Sequence, residues 1–318
     1  MTEPLALIVA GPTASGKSAL ALDLAERLDG TIINADSMQV YRDLRVITAR
    51  PSPQEEARVP HRLYGIRPAS EAGSVAWWRG EALAAMADAR AQGRLPILTG
   101  GTGMYFLSLT DGLAEIPSPT PEARAEARRL LAGQGPEALH AGLMKVDPAT
   151  AARLHPSDSQ RIARAWEVWR STGQGLAAWQ NRRGPRAPWR FAAVLLDPPR
   201  EALRAAIATR FAAMLRDGAL QEVSALLAQH LDPSLPAMRA HGVPELSAHL
   251  RGEITLAEAG RRTELVTGQY TKRQATWFRH HSLAGAGMTL TIHARFTNFA
   301  QLSERNTEDL FAFIQRVA

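Results

Sequence analysis

The residues best suited to chemistry come early. Gly11-Pro12-Thr13-Ala14-Ser15-Gly16-Lys17-Ser18 fits the pattern G-x-x-x-x-G-K-[ST]. Such a run turns consecutive backbone N–H groups inward on a polyphosphate, adds the point charge of Lys17, and offers the Ser18 hydroxyl to Mg²⁺. An apolar run over 5–10 precedes it and an apolar helical pattern over about 18–28 follows. The order is strand, phosphate-binding loop, helix, and the helix N-terminus adds positive potential. An ordinary glycine turn in a βα unit is the competing reading, and the strand-helix context argues against it. The loop alone does not say which phosphate compound it holds.

A second reactive residue, Asp36, follows a short buried strand over 31–34. In an open parallel sheet, ligands sit outside the carboxyl ends of the strands, which places Asp36 beside the phosphate loop. A strand over 96–99 runs into Gly100-Gly101-Thr102-Gly103, where glycines bring backbone close to whatever lies at the sheet edge. The pattern predicts a surface loop over 51–61, a further strand over 63–66 and a helix over 74–92. It predicts strands over 191–196 and 288–293, helices from 197 to 281, and a last helix over 307–317. The fold class expected is α/β, a P-loop NTPase-like parallel sheet core with a helical insertion domain. Three prolines within 116–121 make a stiff linker, 182–188 makes a second, and everything from 122 to about 181 reads as helical and arginine-rich. The expected division is a catalytic core of 1–115 and 189–318, with the insertion at 116–188.

With 318 residues, 45% of them hydrophobic, the chain can bury one large core or two modest ones. No apolar run is long enough for a bilayer span, and no signal peptide is evident, so membrane partners are not expected. The absence of cysteine excludes disulfides and thiolate metal sites and makes the cytoplasm the default location. Of 37 basic residues only Lys17, Lys145 and Lys272 are lysine; an arginine-rich surface with net charge +6 suits a polyanion.

A P-loop usually serves phosphoryl transfer by an ATP-binding protein. A hydrolase of that kind wants an apolar strand ending in Asp to hold Mg²⁺, and the strand over 96–99 ends without a carboxylate. Asp36 could be a Mg²⁺ aspartate or the base of a small-molecule kinase, and on these motifs alone the kinase reading stands.

The motifs taken together go further. GPTASGKS, DSMQVYR with TARP at 48–51, GGTGMY at 100–105, QRIARAWEV at 160–168 and YTKRQATWFR at 270–279 resemble, in order and spacing, the tRNA dimethylallyltransferases over nearly the whole chain. The resemblance implies transfer of a dimethylallyl group from dimethylallyl diphosphate to the exocyclic N6 amine of the adenine 3′ of the anticodon. The tRNAs implied are those reading codons that begin with U. It implies Mg²⁺ as cofactor, a P-loop-type core with a helical insertion, and a monomer. The leaving group would then be an intact diphosphate held by Lys17, the loop amides and Mg²⁺ on Ser18, with Thr13 also catalytic. Asp36 matches the family's base, and Thr102 a residue contacting the same adenine.

Reaching a base within an anticodon loop requires unstacking it. Asp36-Ser37-Met38-Gln39 resembles the segment that reads the flipped adenine, and Gln160-Arg161-Ile162-Ala163-Arg164 the segment that contacts tRNA. Arg124 and Arg128, four apart on one helix, add charge of the kind that grips phosphate. Arg239, Lys272 and Arg273 are expected near phosphate or RNA, whereas Trp277 and Phe278 are expected in the core. The chain departs from the family pattern at Pro244 and Gly268, where basic residues are common. Alternatives from other classes are an isopentenyltransferase acting on free adenine nucleotides, a P-loop kinase, and a non-catalytic nucleotide-binding module. The arginine-rich insertion favours tRNA over free nucleotides.

Overall fold

Alternate residues of the strand Leu5–Ala10 (β1) face opposite sides of the sheet. Ala6, Ile8 and Ala10 join one hydrophobic core, while Leu7 and Val9 join another. A strand apolar on both faces must lie inside a sheet covered by helices on both sides. The computed structural model describes residues 3–182 and 184–317. Arg183, in the expected second linker, lies outside the described residues.

After β1 come α1 (Lys17–Arg27), β2 (Gly30–Asn34), α2 (Pro53–Arg58), β3 (His61–Arg62), α3 (Val75–Ala91), β4 (Leu95–Gly100) and α4 (Gly103–Thr110). The helices α5 (Pro121–Val146), α6 (Pro148–Ala151), α7 (Ser159–Thr172) and α8 (Leu176–Gln180) follow. The chain then re-enters the sheet at β5 (Arg190–Leu196) and continues through α9 (Arg200–Arg216), α10 (Ala219–Leu227) and a 3₁₀ turn, Pro236–Arg239. It ends with α11 (Val243–Leu250), α12 (Leu256–His280), β6 (Thr289–Ile292) and α13 (Glu304–Val317). The six strands run parallel in the order β3-β2-β4-β1-β5-β6. Leu20, Leu24, Phe313 and Ile314 from α1 and α13 cover one face, and Trp78, Phe106, Phe211 and Val223 from α3, α4, α9 and α10 cover the other. The α/β class and the parallel sheet are as the sequence predicts.

Three local expectations need correction. The strand expected at 63–66 lies at His61–Arg62, because Leu63 and Gly65 adopt positive φ (66° and 60°) and turn the chain out of the sheet. The loop expected at 51–61 contains α2: Ser52 accepts from the Glu55 amide and Glu55 reaches back to the Ser52 amide, a reciprocal cap. The insertion is not helical throughout, since residues 152–158 form turns between α6 and α7, and Gly135, at φ 79°, kinks α5 just before Pro136.

The described chain forms two compact units. One contains residues up to Thr110 and from Ala187 onward, and the other is Asp111–Arg186. The second unit has its own small core of Leu143, Ala151, Ala165, Val168 and Leu176. Asp147 staples it by accepting from the Thr150 amide at 3.2 Å and the Leu176 amide at 2.9 Å.

Candidate active site

The phosphate loop leaves β1 at Gly11 and enters α1 at Lys17. Gly16 takes φ 92°, and no side chain caps the helix, so its first-turn amides remain available to an anion. A methyl group at Gly16 would lie 1.9 Å from the Phe296 carbonyl oxygen, so this position admits only glycine. Residues from the other end of the chain hold the loop. The Phe296 amide donates to Ser15 O at 2.9 Å, Arg295 Nε donates to Ala14 O at 3.0 Å, and Gln274 Oε1 accepts from the Thr13 amide at 2.8 Å.

Asp36 stands just beyond the carboxyl end of β2. Buried Asn34 fixes its backbone: Asn34 Oδ1 accepts from the Asp36 amide at 2.9 Å, and Nδ2 donates to the Asp36 and Leu63 carbonyls at 3.0 and 3.1 Å. Asp36 Oδ1 accepts from the Met38 amide at 2.9 Å. Trp78, fully buried and stacked on Tyr105, donates to Asn34 O at 2.8 Å, anchoring α3 to the end of the same strand.

Two cavities adjoin these residues. The first, about 300 Å³, is lined by Lys17, Ser18, Arg50, Arg210 and Arg295, with Glu55 the lone carboxylate. Burial lowers Lys17, 9% exposed, to a pKa of about 8; the Asp36 charge raises it and Arg210 lowers it. Arg50 Nε is buried without a hydrogen-bond partner. Four cationic side chains against one carboxylate, with unspent donors, make a site for a polyanion. The second cavity, about 290 Å³, has apolar walls in Ile47, Ile207, Phe211 and Met214. Thr13, Asp36, Arg239 and His241 lie in the same lining. Burial lowers the His241 pKa, partly offset by Glu245, and pushes the Tyr270 hydroxyl well above its usual range.

Arg210 lines both cavities. Burial lowers its pKa and Asp36 opposes the shift, while its Nη2 donates to Thr48 O at 3.2 Å. A cationic pocket thus adjoins an apolar one that carries a carboxylate, with a guanidinium common to both. Such an arrangement can hold an anionic leaving group and an apolar fragment on either side of a breaking bond, with a base near the fragment.

A family model described as IPP transferase matches residues 39–281. The chain belongs to this family. A tRNA dimethylallyltransferase of Granulibacter bethesdensis is 63% identical over 316 residues, 99% of each chain. One of Gluconacetobacter diazotrophicus is also 63% identical, covering 97% of this chain and 93% of its own. The crystal structure of a full-length tRNA isopentenylpyrophosphate transferase from Bacillus halodurans is 31% identical with TM-score 0.69, covering 99% of this chain and 97% of that one. A eukaryotic dimethylallyltransferase, described as acting on tRNA, is 27% identical with TM-score 0.81 over 98% of this chain and 80% of its own.

Most of the sequence-predicted residues divide between the two cavities and the insertion. Lys17, Ser18, Ala14 and Gly16 line the cationic cavity; Thr13, Asp36, Ser37, Met38 and Arg239 line the apolar one. Gly11, Pro12 and Ser15 shape the loop: a methyl at Gly11 would approach Leu196 O to 2.8 Å, and Pro12 O accepts from the Ser15 amide. Thr102 lies outside both linings. Its Oγ1 accepts from the Ser37 amide at 3.0 Å, so it braces the segment carrying Asp36. Gln39 Nε2 donates to the Thr48 and Ala49 carbonyls, both at 2.9 Å, which commits its donors to shaping the neighbouring loop. Lys272 and Arg273 are exposed on α12, outside both linings. Phe278 is core and Trp277 packs against it, as the sequence predicts.

Within the second unit, Arg161 is largely exposed and pairs with Asp158 at 3.3 Å. Burial and nearby Arg124 lower the pKa of Arg164, with Glu167 opposing, so Arg124 and Arg164 bring like charge together. Gln160 is exposed and Ala163 half-buried. Ile162 is fully buried, so its side chain packs inside the unit. Sequence reasoning missed Arg210, Gln274 and Asn34. Arg210 is one arginine among many on a helix with no local motif, and Asn34 reads as the last residue of a strand.

Proposed function

We propose that this protein transfers a dimethylallyl group from dimethylallyl diphosphate to the exocyclic N6 amine of the adenine 3′ of the anticodon. Its substrates would be tRNAs reading codons that begin with U, and intact diphosphate is released. The observation that carries this reading is the shared Arg210: the cationic cavity suits a diphosphate, the apolar one suits a C5 chain and a purine, and one guanidinium lines both. The chain's high identity to proteins named tRNA dimethylallyltransferase supports it.

The N6 lone pair attacks the allylic carbon as the carbon–oxygen bond to diphosphate breaks. The electron pair leaves on the diphosphate, and Asp36 takes the N6 proton. Lys17, Arg210 and the amides opening α1 stabilise the charge that builds on the leaving oxygens. Among the described residues no cluster of three or more His, Cys, Asp or Glu side chains forms a ligand set. One Ser18 hydroxyl beside a polyanion site nevertheless fits Mg²⁺, which takes few protein ligands and prefers phosphate oxygens and water. Bound there, Mg²⁺ would neutralise diphosphate charge.

Arg124, Gln160, Arg161 and Arg164 of the insertion, with Arg239, Lys272 and Arg273, are proposed to meet the tRNA. The setting proposed is a monomer in the cytoplasm. Among the described residues no helix is long and apolar enough to cross a membrane. The test mixes the protein with Mg²⁺, labelled dimethylallyl diphosphate, and either tRNA or AMP. Label in tRNA with release of diphosphate is expected. Transfer to AMP alone would establish a free-nucleotide isopentenyltransferase instead, and ATP-dependent phosphorylation of an acceptor would establish a kinase.

A further inference from the structure

Gln274 is a polar side chain on α12, 5% exposed, and its side-chain hydrogen bonds run to the two glycine-rich loops. Its Nε2 donates to the Gly101 carbonyl at 2.9 Å. Its Oε1 accepts from the Thr13 amide at 2.8 Å and from the Thr13 hydroxyl at 3.1 Å. The amide cannot be turned over, because a carbonyl oxygen accepts only and so demands the NH₂ end at Gly101. The fit is close there: a methyl at Gly101 would lie 2.1 Å from Gln274 Nε2. One turn along α12, the Trp277 ring would lie 2.3 Å from a methyl at Gly103, so the helix is pressed against this loop.

The consequence falls on Thr13. Oε1 has no proton to give, so the Thr13 hydroxyl must be the donor in that bond. Its proton points at Gln274, and its lone pairs are left for the cavity that Thr13 lines together with Asp36. We propose that Gln274 is a positioning residue that fixes the Thr13 hydroxyl as an acceptor, directing its lone pairs at the positive charge that develops along the forming C–N bond. This rests on the prenyl-transfer reading above. During that transfer positive charge passes from the allylic carbon to the amine nitrogen until Asp36 removes the proton, and a hydroxyl dipole held in the right sense stabilises it at no reorganisation cost. The Thr13 proton stays on Thr13 throughout.

The experiment uses the full chain and compares Gln274→Met, Gln274→Glu, Thr13→Val and the Thr13→Val/Gln274→Met pair. Steady-state transfer to tRNA is measured together with calorimetric binding of inorganic pyrophosphate and thermal melting. Gln274→Met is expected to lower kcat on the order of 10-fold or more with KM for dimethylallyl diphosphate and pyrophosphate affinity within about threefold of the parent. The paired variant should be no slower than the slower single variant, because both remove the same oriented hydroxyl. Gln274→Glu supplies a separate signature. Its carboxylate would face the Gly101 carbonyl and only its protonated form restores that donor, so its activity relative to the parent should rise as pH falls.

Multiplicative losses in the paired variant, or a loss of pyrophosphate affinity matching the loss of kcat, would reduce Gln274 to a brace for the loop and overturn the proposal. A parallel pH profile for Gln274→Glu and the parent would do the same. Failure of the parent itself to prenylate tRNA would instead refute the functional reading, while pyrophosphate binding would still report on the loop.

Discussion

Lys17 supplies the sharpest quantitative expectation, because its interior position sets how the site meets an anion. Burial brings its pKa from 10.5 to about 8, a shift that costs ~3 kcal/mol of charged-state stability. A bound diphosphate restores a counter-charge and raises the pKa again, so above pH 8 binding must draw a proton from solution. The depressed value belongs to the free protein and the raised one to the complex; affinity is therefore full below pH 8 and declines as pH rises. With the free value at about 8 and the bound value near the ordinary lysine range, about nine-tenths of the free protein carries the charge at pH 7 and about one-tenth at pH 9. The dissociation constant should then weaken ~10-fold between those two pH values. Dimethylallyl diphosphate without tRNA and without divalent cation is a suitable titrant, since phosphate monoesters complete their last ionisation near ~6. Calorimetry in two buffers of different ionisation enthalpy should also record close to one proton taken up per site at pH 9. Lys17→Met should bind weakly and show no such uptake. A flat affinity from pH 7 to pH 9 in the parent protein, or no proton uptake, would refute the reasoning.

Other perturbations reach other parts of the molecule. Asp36→Asn keeps the shape of the site and removes the base, so kcat should fall at least ~100-fold while tRNA affinity stays within about threefold; an unchanged turnover would take Asp36 out of the reaction. Glu222 accepts from three consecutive amides, Arg45 at 2.7 Å, Val46 at 2.8 Å and Ile47 at 2.9 Å, and so caps the turn that carries Thr48 and Arg50. Glu222→Ala should cost about 2 kcal/mol of stability, seen as a lower denaturation midpoint, and raise KM for the diphosphate donor more than KM for tRNA. Arg161→Ala and Arg164→Ala should each weaken tRNA binding and reduce the slope of log affinity against log salt by about 1, leaving diphosphate binding intact. Filter binding across a salt series checks this, and an unaltered slope would place the insertion outside the RNA interface.

What could be read from the sequence follows from how local each signal is. The phosphate loop is legible because its function is written in eight consecutive residues between a strand and a helix. Asp36 is legible because the end of a parallel strand is a place that topology dictates. The strand at His61–Arg62 was misplaced by two residues: it is only two residues long, and the deciding feature, positive φ at Leu63, leaves no mark in an apolar run. Helix α2 was hidden behind prolines, although Ser52 and Glu55 are a legible cap once Pro53 is taken as a first-turn residue rather than a breaker. Arg210 and Gln274 were out of reach for another reason. Their meaning depends on partners far away in the chain, 261 positions in the case of Gln274 and Thr13. Resemblance could single out the segment holding Gln274 but not the direction of its hydrogen bonds. Gln39 shows the converse, a residue whose chemistry suits base recognition but whose two donors close a neighbouring turn.

The bond from Arg295 to Ala14 spans 281 positions, and Phe296 beside it leaves room only for a glycine at position 16. During synthesis the phosphate loop must therefore wait for a segment made 281 residues later before it takes its working shape. A nonsense codon after β5 would leave the amino-terminal motif intact on paper and without its scaffold in the cell. Two stretches far apart in the coding sequence are bound to a common fate by a handful of atoms.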